Sequence, residues 1–141
     1  PRSKKRLEQS GFELDRRVIR HEPLGFHDYN CLQMHAAAVI SDSGTLPEES
    51  SFFLSVGHPF PAVCIRTSTE RPEALDKGCF ILAGIDTKSL LQAVDTALGL
   101  DKACDFGTPV PDYTDENVST KVVKLIQSYT AVVNKMVWRK E

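Results

Sequence analysis

The chain has 141 residues and a formal net charge of −2, from 17 Lys+Arg against 19 Asp+Glu. Hydrophobic residues make up 41% and charged residues 26%, globular proportions that exclude a disordered chain, a collagen-like repeat and a coiled coil. The charge balance argues against nucleic acid as the main partner, and no apolar run approaches the ~18–20 residues of a membrane span. The length fits one domain, large enough to bury roughly 68% of its unfolded surface.

In chain order, Lys4 to Ser10 reads as the end of a helix, with Gly11 just past its last turn. The opening run Pro1 to Arg6 leads into Leu7-Glu8-Gln9 and not into an apolar stretch, so no signal peptide is expected. Arg17 to Arg20 is a short strand candidate. A loop with Pro23 and Gly25 follows, and Asp28 can cap a helix from about Tyr29 to His35. Ala36 to Ile40 reads as a buried strand, Ser41 to Thr45 as a turn, and Leu46 to Val56 as a helix ended by Gly57. Pro61 to Ile65 is the next strand, Thr69 to Lys77 a loop and short helix before Gly78, and Cys79 to Ala83 another strand. Asp86 or Thr87 caps a helix to Leu98, whose Leu90, Leu91, Val94, Ala97 and Leu98 fall on one face. After a Gly- and Pro-containing stretch to Tyr113, a last helix is expected from about Asp115 to Trp138. Its apolar stripe is Val118, Val122, Leu125, Ile126, Tyr129, Val133 and Met136.

Continuous apolar strands separated by helices imply parallel strands covered on both faces. The expected fold is therefore α/β, a Rossmann-like, doubly wound parallel sheet of about four strands with a long C-terminal helix. The four cysteines, Cys31, Cys64, Cys79 and Cys104, form no C-x-x-C pair, so neither a zinc site nor a disulfide framework is expected. A reducing cytoplasm suits them. Cys64 and Cys79 sit in apolar runs as small buried hydrophobes. His21, His27, His35 and His58 show no ligand spacing.

The informative segment is Ala38 to Glu49, where a buried strand ends in Asp42-Ser43-Gly44-Thr45 and a helix starts at once. Thr45 and Glu48 have capping-box spacing, and Gly44 permits a close backbone approach or a positive φ. The amides of such a helix start suit a phosphate or diphosphate, at the sheet edge where open α/β sheets bind ligands. Two carboxylates, Glu48 and Glu49, favour the helix dipole but repel phosphate. With Glu48 engaged in the cap, Glu49 is left to accept from a ribose diol, unless both are ordinary solvated acids. Arg66, after the next strand, suits a phosphate bidentately or an ion pair with Glu70 or Glu73. The Pro23 to Tyr29 cluster offers Phe26 or Tyr29 to a base, or to the core.

Asp42-Ser43-Gly44 with Glu48-Glu49, Arg66 with Thr69-Glu70-Arg71-Pro72-Glu73, and the Gly84-Ile85-Asp86 turn together resemble the non-hydrolysing UDP-N-acetylglucosamine 2-epimerase family. The resemblance covers nearly the whole chain and looks like only the C-terminal part of such an enzyme, with Pro1 a cut point. It implies that residues 1–141 are a partial C-terminal nucleotide-sugar-binding domain of a glycosyltransferase-B-like two-domain fold whose N-terminal domain is absent. Phe26 to Asn30 and the tail from Tyr113 to Lys140 resemble one subgroup, which epimerises UDP-2-acetamido-2,6-dideoxy-L-talose for surface polysaccharide. Thr45 and Pro47, where the main family has Gly and Gln, fit that subgroup.

The resemblance implies inversion at C2 by proton abstraction, UDP elimination and re-addition, with no metal and no nicotinamide cofactor. It further implies that Ser43, Gly44 and Thr45 hold phosphate, Glu49 holds ribose, Arg66 helps with UDP, and the Tyr29 region meets uracil. The proton-transfer carboxylates then lie mostly in the absent domain, so the isolated chain is expected to be inactive. The C-terminal stripe and a newly exposed sheet edge predict a homodimer or aggregation. The competing readings are a stand-alone flavodoxin-like phosphate- or nucleotide-binding module and a hydrolysing relative that releases UDP and free sugar.

Overall fold

The computed structural model describes residues 2–140; Pro1, on which the cut-point expectation rests, lies outside them. The chain divides into two compact units, Pro1–Asn30 and Cys31–Glu141, and each is described by itself.

In the first unit, α1 spans Arg2–Ser10 and ends at Gly11, which adopts φ 64° as a residue just past a helix often does. The strand expected at Arg17 to Arg20 does not form. Asp15 instead accepts bonds from the Arg17 backbone N–H at 2.9 Å and from Arg17 Nε at 2.8 Å, and Val18 N–H donates to Asp15 O at 2.9 Å. This local turn satisfies the backbone in place of a ladder. Val18 and Ile19, the two apolar residues between the arginines, stay exposed. α2 spans Phe26–His35, and the division between the units falls within it. It begins one turn earlier than expected, with Tyr29 N–H donating to Gly25 O at 3.0 Å, so Asp28 lies inside its first turn and does not cap it. At the other end His35 Nδ1 meets Cys31 O at 2.8 Å, a capping role for that histidine.

In the second unit three parallel strands, not four, form a sheet in the order β1 (Val39–Ser41), β2 (Ala62–Cys64), β3 (Ile81–Leu82). Val39 pairs with Ala62 and Val63 with Ile81. Alternation along β2 sends its residues to two faces. Ala62 and Cys64 join Leu46 and Phe53 of α3 (Leu46–Ser55) and Ala74 of α4 (Pro72–Asp76), with Phe60 and Phe80. Val63 joins Ala93 and Ala97 of α5 (Thr87–Gly99) on the other face. The doubly wound layering is thus present around the short sheet.

Side chains tie the loops to this core. Ser51, fully buried, accepts from Val110 N–H at 2.8 Å. Asp86 caps α5 by accepting from Ser89 N–H at 3.0 Å, as its position predicts. α6 spans Val118–Met136 and has no buried residue. It starts later than expected because Asn117 turns into the left-handed region at φ 54°. Cys64 and Cys79 are buried, Cys31 and Cys104 exposed, and all four are free thiols.

Candidate functional site

Three turns leave the carboxyl ends of the three parallel strands: Asp42 to Thr45 after β1, Ile65 to Arg71 after β2, and Gly84 to Asp86 after β3. Ladder bonds continue past the strands, from Ile65 N–H to Ser41 O at 3.0 Å and from Ala83 N–H to Cys64 O at 2.9 Å. The first bond holds the first two turns side by side, and the second holds the second and third.

The turn after β1 is organised by its own hydroxyls. Ser43 N–H donates to Ser41 Oγ at 3.0 Å, Thr45 N–H to Ser43 Oγ at 3.3 Å, and the Ser43 and Thr45 hydroxyls lie 2.9 Å apart. Gly44 does not adopt a positive φ. A Cβ on Gly44 would lie 3.6 Å from Arg66 Nη1, so the first turn and Arg66 share one place.

The expected capping box does not form. Thr45 makes no side-chain cap to α3; its hydroxyl donates to Glu49 Oε1 at 2.9 Å. Glu48 instead pairs with Arg71 Nε at 2.5 Å. A half-exposed cation 23 positions away attracts the Glu48 carboxylate more strongly than a cap amide does, because the pair is charged on both sides. Glu49 is half-buried and also accepts from Gln33 Nε2 at 2.6 Å.

Arg66 forms a two-pronged pair with Glu70, at 2.7 and 2.8 Å, the ion-pair alternative of the sequence reading. That bond raises the Arg66 pKa above its ordinary value and holds the Glu70 carboxyl below its own. Its bond to Glu48 likewise raises Arg71. Burial pushes the Cys64 thiol up, partly opposed by the nearby Arg66 charge.

Residues 1–127 match the UDP-N-acetylglucosamine 2-epimerase family. The chain belongs to that family. The UDP-N-acetylglucosamine 2-epimerase of Methanococcus maripaludis is 37% identical over 102 residues, 70% of this chain but 26% of that protein. The UDP-2,3-diacetamido-2,3-dideoxy-D-glucuronate 2-epimerase of Pseudomonas aeruginosa is 29% identical over 99 residues, 70% of this chain and 26% of that protein. The crystal structure of the Methanocaldococcus jannaschii UDP-GlcNAc 2-epimerase in complex with UDP-GlcNAc and UDP superposes with a TM-score of 0.73 at 25% identity, covering 91% of this chain and 34% of that one. The chain thus spans about a quarter to a third of the length of these epimerases.

Within this epimerase segment the structure brings together Ser43, Gly44, Thr45, Glu49 and Arg66. Tyr29 lies in the other unit, on the first turn of α2, and is exposed. Two partners of the site escape a reading by spacing. Arg71 stands in the quoted motif but without an assigned partner. Gln33 is the single polar residue of α2 that is buried, and a polar side chain at an inward helix position is the signal that finds it. Among the described residues no group of three or more His, Cys, Asp or Glu is placed to hold a metal ion, and no helix is long and apolar enough to cross a membrane.

Proposed function

We propose that this chain is the C-terminal, UDP-binding part of a nucleotide-sugar 2-epimerase that inverts C2 of a UDP-N-acetylhexosamine by eliminating and re-adding UDP. The observation that supports it is the shared position of the Ser43-Gly44 turn and the Arg66 guanidinium at the carboxyl edge of the sheet. An elimination that expels a diphosphate needs donors aimed at its developing charge. The turn amides, with Thr45 N–H held only at 3.3 Å, and Arg66, which can exchange Glu70 for phosphate oxygens, are those donors. Glu49 takes the ribose. The carboxylates that remove and return the C2 proton come from outside this chain, so the polypeptide alone binds UDP without turning over the sugar. No metal or nicotinamide enters this scheme.

Thr45 and Pro47 favour the subgroup that acts on UDP-2-acetamido-2,6-dideoxy-L-talose for surface polysaccharide, a cytoplasmic reaction. Isothermal calorimetry with UDP on the wild-type chain and Glu49→Ala tests the assignment. Binding by the wild type, weakened about tenfold or more in the variant, is expected for one charge-assisted contact. No UDP binding, or equal binding by both, would overturn it.

A further inference from the structure

A glutamate accepts two hydroxyl protons from a ribose diol only when its carboxylate is held toward them. Glu49 is held at both oxygens. Thr45 Oγ1 donates to Oε1 at 2.9 Å, and Gln33 Nε2 donates to Oε2 at 2.6 Å. The Glu49 backbone N–H is fixed on Thr45 O at 2.9 Å. A carboxylate offers about four lone-pair directions and only accepts. Donors on both oxygens remove most of the side chain's rotational freedom. Gln33 is only 3% exposed, so its amide is itself locked by packing, as a supporting group must be to orient another. Burial also keeps it from competing for the ligand.

We infer that Gln33 is a positioning residue which, with Thr45, presets the Glu49 carboxylate for the 2′,3′-diol and makes the site select ribonucleoside over 2′-deoxyribonucleoside diphosphates. This rests on the UDP-binding reading above. It gives Thr45 a task beyond contact with phosphate, because its hydroxyl is a donor to Glu49.

The test is calorimetry of the 141-residue chain with UDP and with 2′-deoxy-UDP. The wild type is expected to prefer UDP by about tenfold, the worth of one hydrogen bond to a charged group. Gln33→Met keeps the unbranched length and the helix propensity but removes the donor. It is expected to bring the preference below about threefold by weakening UDP alone. Thr45→Val should narrow the preference and Thr45→Ser should restore it. Failure of the wild type to bind UDP would overturn the UDP-binding reading itself. UDP binding without discrimination between the two nucleotides would overturn only the present inference. So would equal weakening of both nucleotides by Gln33→Met, which marks a purely structural role. If Gln33→Met does not fold, Thr45→Val carries the same readout from the exposed side of the carboxylate, and an unchanged ratio there is equally fatal.

Discussion

Arg66 lies against Gly44: a Cβ on the glycine would sit 3.6 Å from the Arg66 Nη1 and 3.9 Å from Glu70 Oε2. Both are ordinary contact distances, and Gly44 needs no positive φ. A methyl group is therefore tolerated by the fold but occupies the space through which a phosphate reaches the turn amides. Gly44→Ala should change unfolding free energy by no more than about 0.5 kcal/mol. UDP affinity should fall about tenfold or more, since the methyl blocks a backbone contact. Thermal unfolding and calorimetry on the same sample check the two halves; unchanged UDP binding would move the phosphate elsewhere.

The Arg66–Glu70 pair makes a signed pH prediction. Glu70 titrates below its ordinary value of 4.5 in the folded chain, chiefly because of the bond from Arg66. A carboxyl whose folded pKa is lowered adds stability that is fully present above its unfolded value and disappears as pH falls through the folded value. The Glu70 contribution is thus complete above about pH 4.5 and lost on further acidification. Carbon-detected NMR titration of the Glu70 carboxyl should show the lowered midpoint. Arg66→Gln should return it toward 4.5, and saturating UDP should do the same if phosphate takes Arg66 from Glu70.

Much of the fold is legible because it is written locally. Asp86 caps α5, Gly11, Gly57 and Gly78 take the positive φ of a helix end, and the three observed strands carry apolar runs. Arg17 to Arg20 misleads because Asp15 bends the backbone before a ladder can form. Thr45 and Glu48 mislead because motif spacing says nothing of Arg71, which lies 23 residues further along the chain, beyond β2, and captures Glu48. In the same way, the Gln33 contact to Glu49 joins residues 16 apart on separate elements. Tertiary partners compete with local caps, and only the folded chain ranks them.

Gly107 packs its backbone against the end of α4. A Cβ there would meet Lys77 O at 1.9 Å and Gly78 carbon at 2.7 Å, while the next residue, Thr108, donates its N–H to Lys77 O at 2.8 Å. The obstruction is backbone, which cannot rotate aside. Gly107→Ala should destabilise by about 1–3 kcal/mol, the usual cost of overpacking. Gly99, at the end of α5, has nothing within 4 Å and no positive φ. Gly99→Ala should be neutral or stabilising by up to about 1 kcal/mol, through the unfolded chain. Denaturant unfolding of the two variants side by side should give opposite signs.

α6 presents Val122, Leu125, Ile126, Tyr129 and Met136 to solvent, each 45–73% exposed, and buries none of its residues. Its many β-branched residues are poor helix formers, and a single helix of this length is marginal in water unless its apolar stripe is covered. In the chain alone the available cover is the same stripe of a second copy. Sedimentation should therefore show concentration-dependent dimers, with helical circular dichroism rising over the same range. Val122→Glu with Ile126→Glu should abolish both effects, because like-charged residues at i and i+4 repel one another and cannot pack against their counterparts. UDP binding should survive, since no part of the nucleotide turn lies on α6. Helicity independent of concentration would mean that α6 is stabilised within one chain, and dimers that persist in the double variant would place the contact on the open edge of β1.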